Sequence, residues 1–177
     1  MKNYKTILAI DPSGNFEEGK GTTGICLYDA YSDKIIACKN ISAKDYSTKE
    51  QYWNAHLEYI NTINLNSELK DVIIVIEDFT LDPRRAMQQS HSKMETSKLI
   101  GILQLHCCQH NIPYYMQRPV EVKNRWSDEI LVYKNIIEQA QVGYVIPGTN
   151  KVLSRHCKDA IRHAKHYNTF KCSNKRY

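Results

Sequence analysis

The chain alternates between short apolar runs that stop on a carboxylate and longer stretches in which apolar residues recur every three or four positions. Residues 6–11 form the first run, with Ile7, Leu8, Ala9 and Ile10 leading to Asp11. Turn residues Pro12, Ser13 and Gly14 follow at once, then a polar loop through Gly19 and Gly21, so the run predicts a strand with a sharp end. Residues 23–29 and 34–41 predict two more strands, separated by Ser32 and Asp33. Over 48–63, Trp53, Leu57, Ile60 and Ile63 have helical spacing. Val72, Ile73, Ile74, Val75 and Ile76 are consecutive β-branched residues, the pattern of a strand covered on both faces, and they end at Glu77.

After a polar stretch at 80–93, helical spacing resumes over 94–110 through Leu99, Ile102, Leu103 and His106. Residues 112–116 predict a short strand, and 120–126 with 129–140 predict one or two helices. The last helix is expected over 151–167, introduced by Pro147 and Gly148 and capped at Thr149 or Asn150. Three strands, a helix, a buried strand and then alternating helix and strand describe an α/β sandwich around a mixed sheet.

A length of 177 residues, without repeats or a low-complexity linker, suits a single domain over 1–177 with a short basic tail at about 168–177. Hydrophobic residues at 42% and charged residues at 24% argue against a disordered chain. No apolar run approaches the roughly 18 residues that span a bilayer, and residues 7–10 are too short for a signal peptide. A soluble, non-secreted chain without a membrane partner is expected. The six cysteines, at 26, 38, 107, 108, 157 and 172, contain no CxxC pair and read as reduced thiols. A net charge of +5 and a pI near 8.8 lean toward a polyanionic partner without deciding one.

Asp11 and Glu77 end the two most apolar strands. Open α/β sheets place ligand sites outside strand ends, and neighbouring ends would bring both carboxylates within reach of one ion. The plain alternative, a strand terminator meeting water, is adequate for either acid alone and weaker for the pair. Along 154–164, Leu153, Cys157, Ala160, Ile161 and Ala164 make a core-facing stripe, with His156, Asp159 and His163 on its flank. A lone HxxD flank would read as solvated. Together with Asp11 and Glu77, however, His156 and Asp159 complete a set of three carboxylates and one imidazole. Hard oxygens suit Mg2+ or Mn2+, and two such ions about 3.5–4 Å apart could serve phosphodiester hydrolysis. Zn2+ would ordinarily recruit cysteine, and Cys157 belongs to the core stripe.

The segments ILAIDPSG…TGICLYD, VIIVIED and HCKDAIRHA resemble the RuvC-type Holliday-junction resolvases of the RNase H-like superfamily, in particular their phage-encoded relatives. The resemblance spans roughly 5–167. It implies an RNase H-like fold, with a mixed five-stranded sheet and helices on both faces. It also implies a metal-dependent endonuclease that resolves Holliday junctions and other branched DNA, using a pair of Mg2+ or Mn2+ ions, in bacterial or phage-infected cytoplasm. Asp11, Glu77 and Asp159 would be catalytic metal-binding acids. His156 falls where many members carry an aspartate and some a histidine, so ligand and proton-transfer roles both remain open. Lys123, in RPVEVK, would face the DNA backbone. A four-way junction has two strands to cut symmetrically, which implies a homodimer. The helix at 94–110 is the candidate interface.

Rival readings are another nuclease of this fold acting on hybrids, flaps or packaging intermediates, and a non-catalytic module that binds DNA structure. The actin-like proteins share the opening strand but need a second domain that this length excludes. Arg84, Arg85, Gln88, Gln89, His91 and Lys93 read either as a phosphate-contacting arm or as an ordinary polar loop. Arg84, Arg85, Lys93 and Lys123 are therefore the candidate DNA contacts. Asp78 should face away from Glu77. His106, Cys107, Cys108 and His110 match no common zinc spacing and read as helix packing. The twelve tyrosines read as composition rather than a base-stacking platform.

Overall fold

The computed structural model describes residues 4–17, 19–66, 69, 71–80 and 94–171. Strand β1 (Thr6–Asp11) lies at the centre of a five-stranded sheet. It pairs antiparallel with β2 (Thr22–Asp29), which pairs antiparallel with the edge strand β3 (Lys34–Ser42). On its other side β1 pairs parallel with β4 (Val72–Glu77), and β4 pairs parallel with β5 (Tyr114–Gln117). The order β3-β2-β1-β4-β5 places the two predicted acid-tipped strands side by side. The mixed sheet and its helices match the α/β expectation.

Strand alternation divides the core in two. Ile7 and Ala9 of β1, with Ile73 and Val75 of β4, face helix α5 (Arg155–Phe170). Leu8, Ile10, Ile74 and Ile76 face α1 (Lys49–Leu65) and α2 (Glu95–Gln109). Asp11 and Glu77 continue the Ile7–Ala9 and Ile73–Val75 parity, so both carboxylates belong to the α5 side. Both crossovers, β3 to β4 through α1 and β4 to β5 through α2, run on the opposite side. Helix α1 begins at Thr48, whose hydroxyl accepts from the Gln51 amide at 3.2 Å.

Two expectations for the C-terminal third change. In place of helix over 129–140, α3 (Pro119–Lys123) and α4 (Asp128–Tyr133) are followed by Asn135 at a φ of 54°. That left-handed residue ends the turn and sends Ile136 and Ile137 into the core. A small ribbon, β6 (Glu138–Gln139) and β7 (Tyr144–Val145), then folds back through Gly143. Helix α5 does not start near Thr149. The Thr149 hydroxyl turns back to the Ile146 carbonyl at 2.9 Å, and Ser154 caps the helix by accepting from the Cys157 amide at 3.0 Å. The helix continues to Phe170, into the stretch expected as tail.

The predicted stripe of α5 is buried throughout: Leu153, Cys157, Ala160, Ile161 and Ala164. Cys26, Cys38, Cys107 and Cys157 are buried free thiols and Cys108 is an exposed one. His106 donates from Nε2 to Asn61 Oδ1 at 2.8 Å and Cys107 packs in the core, whereas Cys108 and His110 are exposed, so the expected packing role holds for the first two only. No helix among the described residues is long and apolar enough to cross a membrane.

Candidate active site

At the end of the sheet where β1 and β4 finish side by side, α5 crosses close enough to add its own groups. The approach depends on Gly24 of β2, where a Cβ would lie 2.1 Å from the backbone carbon and oxygen of His156. His156 Nδ1 sits 2.8 Å from Asp11 Oδ2. Asp159, one turn on, is 4% exposed and ion-paired with Arg162. Lys123, at the end of α3, lies between the remaining acids, with Nζ 3.4 Å from Glu77 Oε1 and 3.7 Å from Asp159 Oδ2. His163 donates from Nε2 to Glu77 Oε2 at 2.8 Å, and its Nδ1 lies 2.7 Å from the Gln117 side-chain amide.

The electrostatics follow from crowding. Burial raises the Asp11 carboxyl above its ordinary range, the His156 hydrogen bond offsets part of this, and the nearby Glu77 and Asp159 charges add to the rise. Burial also pushes Glu77 upward, but the hydrogen bond and charge of His163, helped by Lys123, bring it below its usual value. The bond to Asp11 raises His156 against the effect of its partial burial. Among the described residues no three acid, imidazole or thiol groups close into a preformed metal cage. Each acid instead carries a cationic or imidazole neighbour.

The loop leaving Asp11 is held from the other side of the sheet. The Ser13 amide donates to Thr23 Oγ1 at 3.0 Å, and the Ser13 carbonyl accepts from the Tyr52 hydroxyl. His56 completes this buried group, with Nε2 2.8 Å from Thr23 Oγ1. The Gly14 amide donates to Thr96 Oγ1 at 3.2 Å. The backbone that follows Asp11 is therefore braced by α1 and by the start of α2.

Asp11, Glu77, His156 and Asp159 thus converge, and Lys123 joins them. Arg84, Arg85 and Lys93, with Gln88, Gln89 and His91, lie outside the described residues. Asp78 lines a separate cavity with Phe79, Thr80, Met94, Arg118, Pro119 and Val120. Sequence reasoning assigned no role to Arg162, His163 or Gln117. Arg162 was within reach, because residues three apart on a helix are neighbours and it follows Asp159 by that interval. The meeting of His163 with Glu77 depends on the strand order, which no local pattern encodes.

No protein-family model matches the sequence, and no curated protein matches it significantly. Solved structures do. The chain is similar to Thermus thermophilus RuvC in complex with a Holliday junction substrate, with a TM-score of 0.67 over 95% of this chain and 96% of that one, at 12% identity. A second Thermus thermophilus RuvC structure matches with a TM-score of 0.64, at 11% identity, over 94% and 95% of the two chains. The fold is that of RuvC. That similarity bears out the RNase H-like expectation across nearly the whole chain.

Proposed function

We propose that the protein is a metal-dependent endonuclease that resolves Holliday junctions and related branched DNA. The observation that carries this reading is the meeting of Asp11, Glu77, His156 and Asp159, from β1, β4 and α5, at one sheet end of a RuvC fold. The neighbour in complex with a Holliday junction supports a branched DNA substrate.

The residues suit Mg2+ or Mn2+. Burial raises Asp11 and the nearby Glu77 and Asp159 charges add to that rise, while the Lys123 ammonium lies between Glu77 and Asp159, where positive charge offsets two acids. Asp11, Glu77, Asp159 and His156 would hold a pair of such cations. When bound, the metal supplies Lewis-acid activation and neutralises charge developing on the phosphoryl group. Asp11 orients His156 through Nδ1, leaving Nε2 as the ring's remaining site for a proton or a ligand bond. Lys123, half exposed at the rim, exchanges its carboxylate partners for a DNA phosphate. The twofold nature of a junction calls for a homodimer, and α2, with Leu105 exposed, is the proposed interface.

Purified protein incubated with matched four-way, flap, RNA–DNA hybrid and linear substrates, with and without Mg2+ or Mn2+, tests the proposal. Metal-dependent cutting of the four-way junction above the others is expected. Preference for hybrids or flaps would move the protein to another nuclease class of this fold. Binding without cleavage in either metal would make it a DNA-structure-binding module.

A further inference from the structure

His163 is fully buried, yet neither its burial nor its helix position requires an imidazole. Its neighbours along the inner side of α5 are Ala160 and Ala164, and alanine would continue that stripe without burying a polar ring. The ring instead occupies the space between the ends of β4 and β5 and contacts one polar side chain from each. A ring with its single proton on Nε2 donates to Glu77 and must accept at Nδ1. The Gln117 amide can meet that need: its Nε2 is buried without a partner among the described residues, and turning the amide over presents that N–H to Nδ1.

The two oxygens of Glu77 are thereby distinguished. Oε2 is held by a ring with no exposure, whereas Oε1 meets Lys123, whose side chain is 42% exposed. One oxygen has a fixed partner inside the fold and the other a partner that can swing away. We propose that His163, itself set by Gln117, is a positioning residue that locks Oε2 of Glu77 and so presents Oε1 toward a divalent cation. The inference rests on the reading of Glu77 as a metal ligand. Hydrogen bonds of this kind to ligating carboxylates typically contribute about 10–100-fold to metal affinity.

The test uses two amides that divide the ring between them. The longer His163→Gln substitution can place an N–H near the Nε2 position, whereas His163→Asn reaches only toward Nδ1 and Gln117. Mn2+ affinity is measured by calorimetry on the full chain, beside junction affinity in metal-free buffer, Tm without metal, and junction cleavage. His163→Gln is expected to keep Mn2+ affinity within about 3-fold of wild type, and His163→Asn to lose about 10–100-fold. Metal-free junction binding should stay level in both. Gln117→Leu, which leaves Glu77 its donor but frees the ring, is expected to fall between them and keeps the test open if either His163 variant fails to fold.

A purely structural role would move Tm in both amide variants and leave Mn2+ affinity alone. Wild-type Mn2+ affinity in His163→Asn, or equal losses in both amides, overturns the inference. In the Gln117 arm, wild-type Mn2+ affinity does the same. The Glu77→Gln variant separates this failure from that of the proposed function: if it also binds Mn2+ like wild type, Glu77 is not a ligand and both readings fall. If it loses Mn2+ while His163→Asn does not, only the positioning role falls.

Discussion

Helices α1 and α2 stand off one face of the sheet on large side chains: Leu8, Ile10, Ile25 and Ile74 below, Tyr52, Ile60, Leu99 and Leu103 above. The N-terminal half of α5 lies on the other face against a patch of small residues that includes Ala9, Gly24, Cys26 and Cys38, and contributes Cys157, Ala160 and Ala164 of its own. The buried polar residues differ in the same way. The α1–α2 face carries a group, Thr23, Tyr52 and His56, whose bonds serve the loop after Asp11. The α5 face carries Asp159, His163 and Gln117 against the acids themselves. Thick aliphatic packing supplies stability on one side. Close approach of backbone to backbone supplies reach on the other, because a short side chain such as Asp159 contributes to a site only if its helix comes near the strand ends.

The contrast predicts opposite responses to mutation. Asp11→Asn on the α5 side should lower junction cleavage by at least about 10²-fold, the scale of losing one electrostatic group in an active site. Burial and the neighbouring Glu77 and Asp159 charges raise the Asp11 carboxyl, so folding disfavours its ionised form and the neutral amide should leave Tm unchanged or higher. Binding measured by gel shift without metal should persist, since DNA affinity comes largely from Lys and Arg contacts to phosphates. On the other face, Leu103 is fully buried, and Leu103→Ala should cost about 2–5 kcal/mol in urea unfolding while cleavage per folded molecule stays level. A large loss of cleavage in the folded Leu103 variant would erase the division of labour.

The same division governs what the sequence reveals. The runs at Ile7–Ile10 and Val72–Ile76 announce buried strands, and their terminal acids lie in the chain order, so Asp11 and Glu77 are readable from the hydrophobic pattern alone. The α5 stripe is readable as well, because Cys157, Ala160, Ile161 and Ala164 follow helical spacing. The start of that helix is not. Thr149, Asn150 and Ser154 are all good caps, but Thr149 is taken up in a turn closed on the Ile146 carbonyl and Val152 bridges to Val145, so Ser154 caps the helix. Over 129–140 helical spacing persists in the letters, while the left-handed Asn135 and the burial of Ile136 and Ile137 break it in space. The contact of His163 with Glu77 joins residues 86 positions apart and exists only because β4 lies between β1 and β5.

A pH experiment sharpens the comparison from the α1–α2 side. Burial holds His56 neutral by lowering its pKa to about 4, against about 6.5 for a free imidazole. Between those values the unfolded chain binds the proton and the folded chain does not. The His56 contribution to stability is therefore complete above about pH 6.5, declines as the pH falls toward 4, and changes no further below that. The full effect is about 3 kcal/mol. His56→Gln, which cannot titrate, should lose less stability than wild type between pH 7 and pH 4.5 in parallel urea unfolding. Equal losses in the two proteins would mean that the imidazole is charged in the fold.

A substitution at Gly24, expected to cost less stability than Leu103→Ala, tests the close approach of α5 directly. A methyl group at Gly24 would fall 2.1 Å from the His156 carbonyl group and 2.6 Å from the Cys157 amide, with backbone rather than a flexible side chain in its way. Gly24→Ala must therefore shift the start of α5 away from β2, at a cost of about 1–3 kcal/mol for overpacking. A shift of even a few tenths of an ångström separates His156 from Asp11, whose present contact is 2.8 Å. Cleavage per folded molecule should fall, and it should fall further than in Leu103→Ala even though Leu103→Ala is the less stable protein. Thermal unfolding and single-turnover cleavage on the same preparations decide the matter. If Gly24→Ala folds and cuts junctions at the wild-type rate, the proximity of α5 to β2 serves packing alone and the contrast between the two faces loses its functional meaning.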